Sequence, residues 1–318
     1  MYRVDNNSQE IEERPAGYIG PDLNPAGLEL EPRTLSEGVY ALMANTPPKD
    51  NNGVIIGERG ALVIDAGING TIARQIQHIV QQLTNKPLLY VVNTTYHGDH
   101  SFGNYAFPAE VKIVSSRQNR ASMRDLEREK RIRSENMKGN VAALADVVEW
   151  RLPDIFFDHF TAIDLGNKIV ELWHFGPGNA PGDTIVYVPD AQVAWTGNFT
   201  VKDGFAPMLL EGGPGPYIET IQKMQATLPV KTLIPGHGPI AEAAPALDSL
   251  VAYLQTLQQQ VSADIKQGLS LDETLAAHPL PDTMLLPPTN PLAPVANPYN
   301  IHAHRLNVLA TYRALEHK

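Results

Sequence analysis

Cysteine is absent from all 318 residues, which removes disulfides and thiolate ligands together, so any metal must be held by histidine, carboxylate or amide groups. A basic excess is also missing: 25 lysines and arginines face 35 aspartates and glutamates, for a formal charge of −10. A chain this acidic lacks the cations that displace counterions from nucleic acid. No apolar run approaches the ~20 residues of a membrane-spanning helix. The polar start, Met1 to Glu13, carries no apolar signal core. These absences lead us to expect a small-molecule substrate, no nucleic-acid partner and no membrane association. The expected location is cytoplasmic, with an exported mature form that has shed its signal peptide as the alternative.

What is present is a 43% apolar chain, enough to bury one large core with an appendage. Residues 1–33, rich in Pro, Gly, Asn and acidic groups, read as an extended N-terminal arm. Short apolar runs follow at Val39 to Ala44, Gly53 to Ile56 and Ala61 to Asp65, and read as strands. Ile72, Ile76, Ile79, Val80 and Leu83 have helical spacing, and Leu88 to Asn93 reads as a buried strand. Val111 to Val114 reads as a further strand, with helices at about 118–136 and 141–150. The basic run from Arg117 to Arg133 is interleaved with Asp125, Glu127, Glu129 and Lys130 and reads as a solvated helix face.

The second half repeats the plan, with strands at Thr161 to Leu165, Ile169 to Phe175, Thr184 to Val188, Val193 to Thr196 and Thr232 to Pro235, and a helix at about 217–228. Two β-rich halves with outer helices suggest an α/β fold, a four-layer αββα sandwich over 34–245, with a single mixed sheet as the alternative that periodicity leaves open. A stripe of Leu247, Leu250, Leu254, Leu257 and Val261, a Pro-rich loop at 279–298 and a last helix at about 299–315 predict a C-terminal helical cap over 246–318. That cap is a candidate border for a cleft or for a homodimer interface.

Chemistry concentrates in three places. Asn93-Thr94-Thr95-Tyr96-His97-Gly98-Asp99-His100 puts two imidazoles and a carboxylate on one loop after a strand, a donor set suited to zinc or to non-haem iron. Gly176-Pro177-Gly178-Asn179-Ala180-Pro181-Gly182-Asp183 is a glycine-rich loop that lets backbone approach a ligand. Pro235-Gly236-His237-Gly238 ends a strand with an imidazole between glycines. Elsewhere, His302 and His304 are two apart and would face different sides of a helix, and His159 and His174 sit in or beside strands, so none of these four reads as a ligand. Phe205, Met208, Leu209 and Leu210 are candidates to line a cleft.

In order and spacing these three segments resemble the metallo-β-lactamase superfamily, with its H-x-H-x-D-H, G-x-x-H-T-x-G-D, T-G-D and P-G-H-G motifs. The likeness spans roughly residues 35 to 245 and extends to Ile64-Asp65-Ala66-Gly67 and Ser101-Phe102-Gly103-Asn104. The resemblance implies two metal sites in the dinuclear members, and in this chain the first departs from the pattern. Thr95 stands at the first histidine of H-x-H-x-D-H, Asn179 at the histidine of the glycine-rich loop, and Asn198 at the aspartate of T-G-D. The first site keeps only His97. The second keeps Asp99, His100 and His237.

The implied cofactor is one zinc ion, with iron or no metal as alternatives. The implied activity is metal-dependent hydrolysis of an ester, lactone, thioester or amide, β-lactams included. In that reading His97 and Asp99 are catalytic, Asp65 orients a ligand from behind, Tyr96 packs the wall, and Thr95, Asn179 and Asn198 line the cleft. The alternatives are an iron oxidoreductase, a metal-independent lyase or isomerase, or a binding module without catalysis.

Overall fold

The structure, a computed structural model, describes residues 11–200 and 213–316, so Phe205, Met208, Leu209 and Leu210 lie outside the described residues. The first sheet is built from β1 (Leu30–Ser36), β2 (Val39–Ala44), β3 (Asn52–Ile56), β4 (Ala61–Ile64), β5 (Leu88–Val92), β6 (Lys112–Ser116) and β7 (Ile155–Phe157). These seven lie side by side in chain order, and β4 to β7 run parallel. β8 (Phe160–Asp164), β9 (Ile169–Trp173), β10 (Ile185–Val188), β11 (Val193–Gly197), β12 (Thr232–Pro235) and β13 (Ala241–Glu242) form the second, with β11 and β12 parallel.

The two sheets face each other. Val39, Ala41, Ile55, Leu62 and Ile64 of the first pack against Leu172, Val186, Trp195 and Ile234 of the second. Strands such as β4 are buried at every position because both faces are covered, which is why they read as continuous apolar runs without alternation.

α1 (Gly70–Leu83) covers the outer face of the first sheet. Its N-cap Asn69 accepts from the Ile72 amide, and Ile72, Ala73, Ile76, Ile79 and Val80 face inward. Truncating a fully buried side chain such as Ile76 to alanine costs about 2–5 kcal/mol. After β5 the chain makes a single helical turn, α2 (Gly98–Ser101), and after β6 come α3 (Arg117–Ser122) and α4 (Leu126–Ser134). α5 (Pro214–Thr227), α6 (Ala243–Gln267), α7 (Leu271–Ala277) and α8 (Ala293–Glu316) lie on the second half of the chain. Leu247, Leu254, Leu257 and Val308 join Ile185 and Leu233 in one apolar cluster on the outer face of the second sheet. The layers are therefore helix, sheet, sheet, helix, as expected.

Four details differ from the sequence expectation. The helix expected at 118–136 is broken: α3 stops at Met123, and Asp125 starts α4 by accepting from the Arg128 amide, a restart that charge spacing cannot reveal. The helix expected at 141–150 is one 3₁₀ turn, Val141–Leu144, followed by irregular chain leading to β7. α8 begins at Ala293 and carries Pro298 inside it, a position at which proline normally ends a helix. The end of the arm is not peripheral either, because Leu23, Leu28 and Leu30 are buried in the first core cluster and β1 starts at Leu30.

Candidate metal centre

The site forms where the C-terminal ends of β4, β5, β11 and β12 converge. β4 is followed by Asp65, whose φ of 61° lies in the left-handed region that aspartate tolerates better than most residues. From this position just past β4 its carboxylate accepts from the Thr94 amide and hydroxyl, both at 2.7 Å, and meets His100 Nδ1 at 2.9 Å. That contact turns His100 Nε2 toward the opposite strands. There it lies 3.1 Å from Asn198 Oδ1, 3.5 Å from Asp99 Oδ2 and 3.9 Å from Asp50 Oδ1. At the end of β12, Gly236 is required: a Cβ there would stand 2.7 Å from His100 Cε1 and 2.9 Å from the Gly197 backbone.

His237, next in the chain, comes to the same point. Its Nδ1 donates to the Pro48 carbonyl at 2.6 Å and is 3.2 Å from Asp50 Oδ1, while Nε2 is 3.4 Å from Asp99 Oδ2. Asn51 builds this junction between the sheets. Its amide N–H donates to the Gly236 carbonyl, its side chain donates to the carbonyls of Pro235 and Gly238, and the neighbouring Asp50 pairs with His237 in an isolated antiparallel bridge.

Asp50, Asp99, His100 and His237 can thus each offer one ligand atom with all four atoms within 4.8 Å of one another. Asp50 was missed by sequence reasoning. It sits in Pro47-Pro48-Lys49-Asp50-Asn51-Asn52, which reads as a turn, and only the pairing with His237 brings it to the site.

These residues fit a dication. Both Asp99 oxygens and Asp50 Oδ1 are buried without a hydrogen-bond partner among the described residues. Such oxygens are costly to leave unsatisfied, and two carboxylates with two imidazoles form a donor set that zinc and iron accept. The electrostatics agree. Burial opposes the Asp99 charge, but His100, His237 and Arg133 outweigh it and hold that carboxyl well below the usual range. Burial and the nearby Asp99 charge push Asp50 well up. Burial opposes the charge on His100, yet Asp65 and Asp99 prevail and raise it to about 10. A bound dication would take over the role that the His100 proton plays in this cluster.

The other side of the cleft is built differently. His97 is fully buried, its ring centroid 4.5 Å from that of Tyr96, and its Nδ1 accepts from Asn198 Nδ2 at 2.8 Å. Burial, helped by the Arg133 charge, lowers its pKa well below the ordinary histidine value. Thr95 and Asn179 are also buried, and Asn179 and Asn198 line the cleft. Asp183, in the glycine-rich loop, accepts from the Ala180 amide at 3.0 Å, and burial pushes it up to about 7.

Arg133 corrects the reading of the basic run as a solvated face. It is only 4% exposed, its Nε is 2.9 Å from Glu129 Oε1, and Nη1 is 3.7 Å from Asp99 Oδ1. Glu129 Oε1 also accepts from the Gly98 amide at 2.8 Å, so α4 is tied to the histidine loop. Pro21 and Leu23 of the arm and Tyr299 of α8 complete the cleft wall. None of these was legible as a site residue, because each comes from a segment distant in sequence. His159, His174, His302 and His304 stay away from the cluster. His174 Nδ1 donates to the Asp183 carbonyl, and His304 Nδ1 meets the Tyr253 hydroxyl at 2.9 Å inside the helical layer.

Residues 46–237 match the family model of the metallo-beta-lactamase superfamily, and the chain belongs to that superfamily. Among solved structures it is similar to a metallo-beta-lactamase from Pontibacter korlensis, at 20% identity and a TM-score of 0.56, over 71% of this chain and 99% of that one. It is also similar to the DIM-1 metallo-beta-lactamase, at 15% identity and a TM-score of 0.55, over 72% and 98% of the two chains. TMB-1 matches at 15% identity and a TM-score of 0.54, over 71% and 97%. Likeness at such identities speaks for the shared sandwich. Among the described residues no helix is long and apolar enough to cross a membrane.

Proposed function

We propose that this chain is a hydrolase of an ester, lactone, thioester or amide, β-lactams included, working with a single zinc or iron ion held by Asp99, His100 and His237. Asp50 is a fourth donor in this reading. The observation that carries it is the buried Asp99 carboxylate, with no hydrogen-bond partner among the described residues and two imidazoles against it. When bound, such an ion supplies Lewis acidity toward a carbonyl or a water. The rest falls to the chain's own groups. Asp65 fixes the His100 ring, the Pro48 carbonyl fixes that of His237, and Asn198 joins His97 to His100 through its two amide atoms.

Asp99, which His100, His237 and Arg133 hold ionised, is the proposed anionic donor to the ion rather than a proton acceptor. His97 is a weaker proton acceptor than its position in the motif implies, because its Nδ1 already accepts from Asn198 and its basicity is lowered. Its proposed part is to hold Asn198 in place. The described parts of the arm, residues 11–33, and of the cap, residues 246–316, are proposed as two walls raised around the cleft of the domain spanning 34–245.

The test is elemental analysis of protein purified without added metal, beside an Asp99→Ala, His237→Ala double variant, followed by assays on lactones, thioesters and β-lactams. The expected result is about one zinc or iron per chain, lost in the variant, with turnover that follows the metal. Protein that takes up neither metal when both are supplied would refute the reading and leave metal-independent chemistry or a binding module. Redox turnover by an iron-loaded form without hydrolysis would replace it with the oxidoreductase.

A further inference from the structure

We infer that Arg133, with the amides of Asn179 and Asn198, forms an oxyanion subsite that takes a carboxyl oxygen of the ligand on the side of the cleft where the first metal site is reduced to His97. A substrate's carbonyl oxygen and the carboxylate it becomes on hydrolysis are both ligands of this class. That last assignment rests on the hydrolase reading; the subsite does not.

Three observations carry it. Arg133, Asn179 and Asn198 line one cleft together with Asp99 and His237. Two of them, Asn179 and Asn198, stand at motif positions where the superfamily pattern has a metal-binding histidine and aspartate, so neutral amides have replaced metal ligands there. Arg133 then brings a permanent positive charge to the same side. Its Nη1 lies 3.7 Å from Asp99 Oδ1. Guanidinium is the side chain best matched to a carboxylate, because it never deprotonates and presents parallel N–H donors. Amide N–H groups beside it add donors without adding charge.

The walls limit the size of the ligand group. Pro21, Leu23 and Tyr299 leave about 30 Å³ for water-sized groups, and one water needs about 10–15 Å³ by that measure. A carboxyl group fits there, whereas a bulky acyl chain must extend toward the open mouth.

A purely structural role for Arg133, tethering Glu129 and through it Gly98, makes a different prediction, and the experiment separates the two. Acetate and malonate are titrated calorimetrically into the zinc-loaded full chain and into the chelator-treated chain, in wild type and in the Glu129→Gln, Arg133→Gln double variant. The double variant keeps hydrogen-bonding groups at both positions and removes both charges. We expect malonate affinity to fall about tenfold or more in it, with zinc content and unfolding temperature near wild type. Equal affinity in wild type and a folded double variant overturns the subsite, as does a wild type that binds neither anion. Arg133→Lys, which keeps the charge but loses the fork, is the second variant should the first not fold, and an unchanged malonate affinity there also overturns it. Absence of bound zinc sinks the hydrolase reading alone, because the chelator-treated titration still shows whether affinity depends on Arg133.

Discussion

Two buried histidines in this molecule are driven in opposite directions. His100, at the meeting of the sheets, is raised to about 10, whereas His304, in the helical layer, is lowered to about 4. Burial disfavours the charge in both. The difference lies in what faces the ring: three carboxylates, Asp65, Asp99 and Asp50, stand within 4 Å of His100. His304 meets the Tyr253 hydroxyl and the His278 carbonyl, both neutral. The lesson is that burial alone does not define a functional histidine. The cleft concentrates negative charge beyond what its own cations balance, and the helical layer satisfies its histidine with neutral partners.

The sharpest way to break the comparison is to remove the carboxylate at its centre. Asp99→Ala should reduce metal affinity by more than the roughly 10–100-fold that loss of a supporting hydrogen bond costs, read as metal per chain after dialysis. His97→Ala, on the depleted side, should leave that ratio unchanged. Asp65→Asn comes next. It removes the charge behind His100 while keeping the shape, and should weaken zinc binding by roughly 10–100-fold in competition with a chromophoric chelator.

Third, zinc binding near neutral pH should release protons, because His100, raised to about 10, holds a proton in the metal-free chain. Calorimetry in buffers of differing ionisation enthalpy should show this, and a buffer-independent heat would contradict protonation of that ring.

The pH dependence of stability sharpens the contrast with smaller effects. For metal-free protein, the raised His100 contributes stability that is complete below 6.5, its unfolded value, and is lost as pH rises toward 10. For the lowered His304 the sign reverses. Above 6.5 both states are neutral there, and as pH falls toward 4 the unfolded chain takes up a proton that the folded chain refuses, so stability drops. The His304 loss amounts to about 3 kcal/mol across that window. Urea unfolding at about pH 7 and about pH 5 should show a shallower drop in His304→Gln, and an unchanged drop would assign the acid sensitivity to other groups.

Much of this architecture was legible because the sandwich buries whole strands. β2 and β12 coincide with their apolar runs since Gly38 and Asn45 bracket one, and Lys231 and Gly236 the other. The cluster at the histidine loop could be suspected because its candidate donors Asp99 and His100 are adjacent in sequence. Asp50 was not: its partner His237 is remote in the chain, and an aspartate before two asparagines carries every mark of a turn. Arg133 was hidden for the opposite reason. Its neighbours Lys130 and Arg131 belong to the partly and fully exposed side of α4, and a helix so charged on average conceals the one face that turns inward.

The arm has a consequence for how the molecule matures. Arg128 and Arg131 of α4 bind Glu12, Arg313 of α8 binds Glu13, and Arg305 of α8 donates to the Ala16 carbonyl. The arm and α8 are thus laced together beside the cleft wall to which both contribute, through Pro21, Leu23 and Tyr299. That wall is finished only when the arm and α8 have docked on each other, so during refolding an ion meets a more open basin than it meets in the assembled chain. Refolding in the presence of zinc should therefore load the protein faster than adding zinc afterwards, and equal loading rates would show that the strap opens freely.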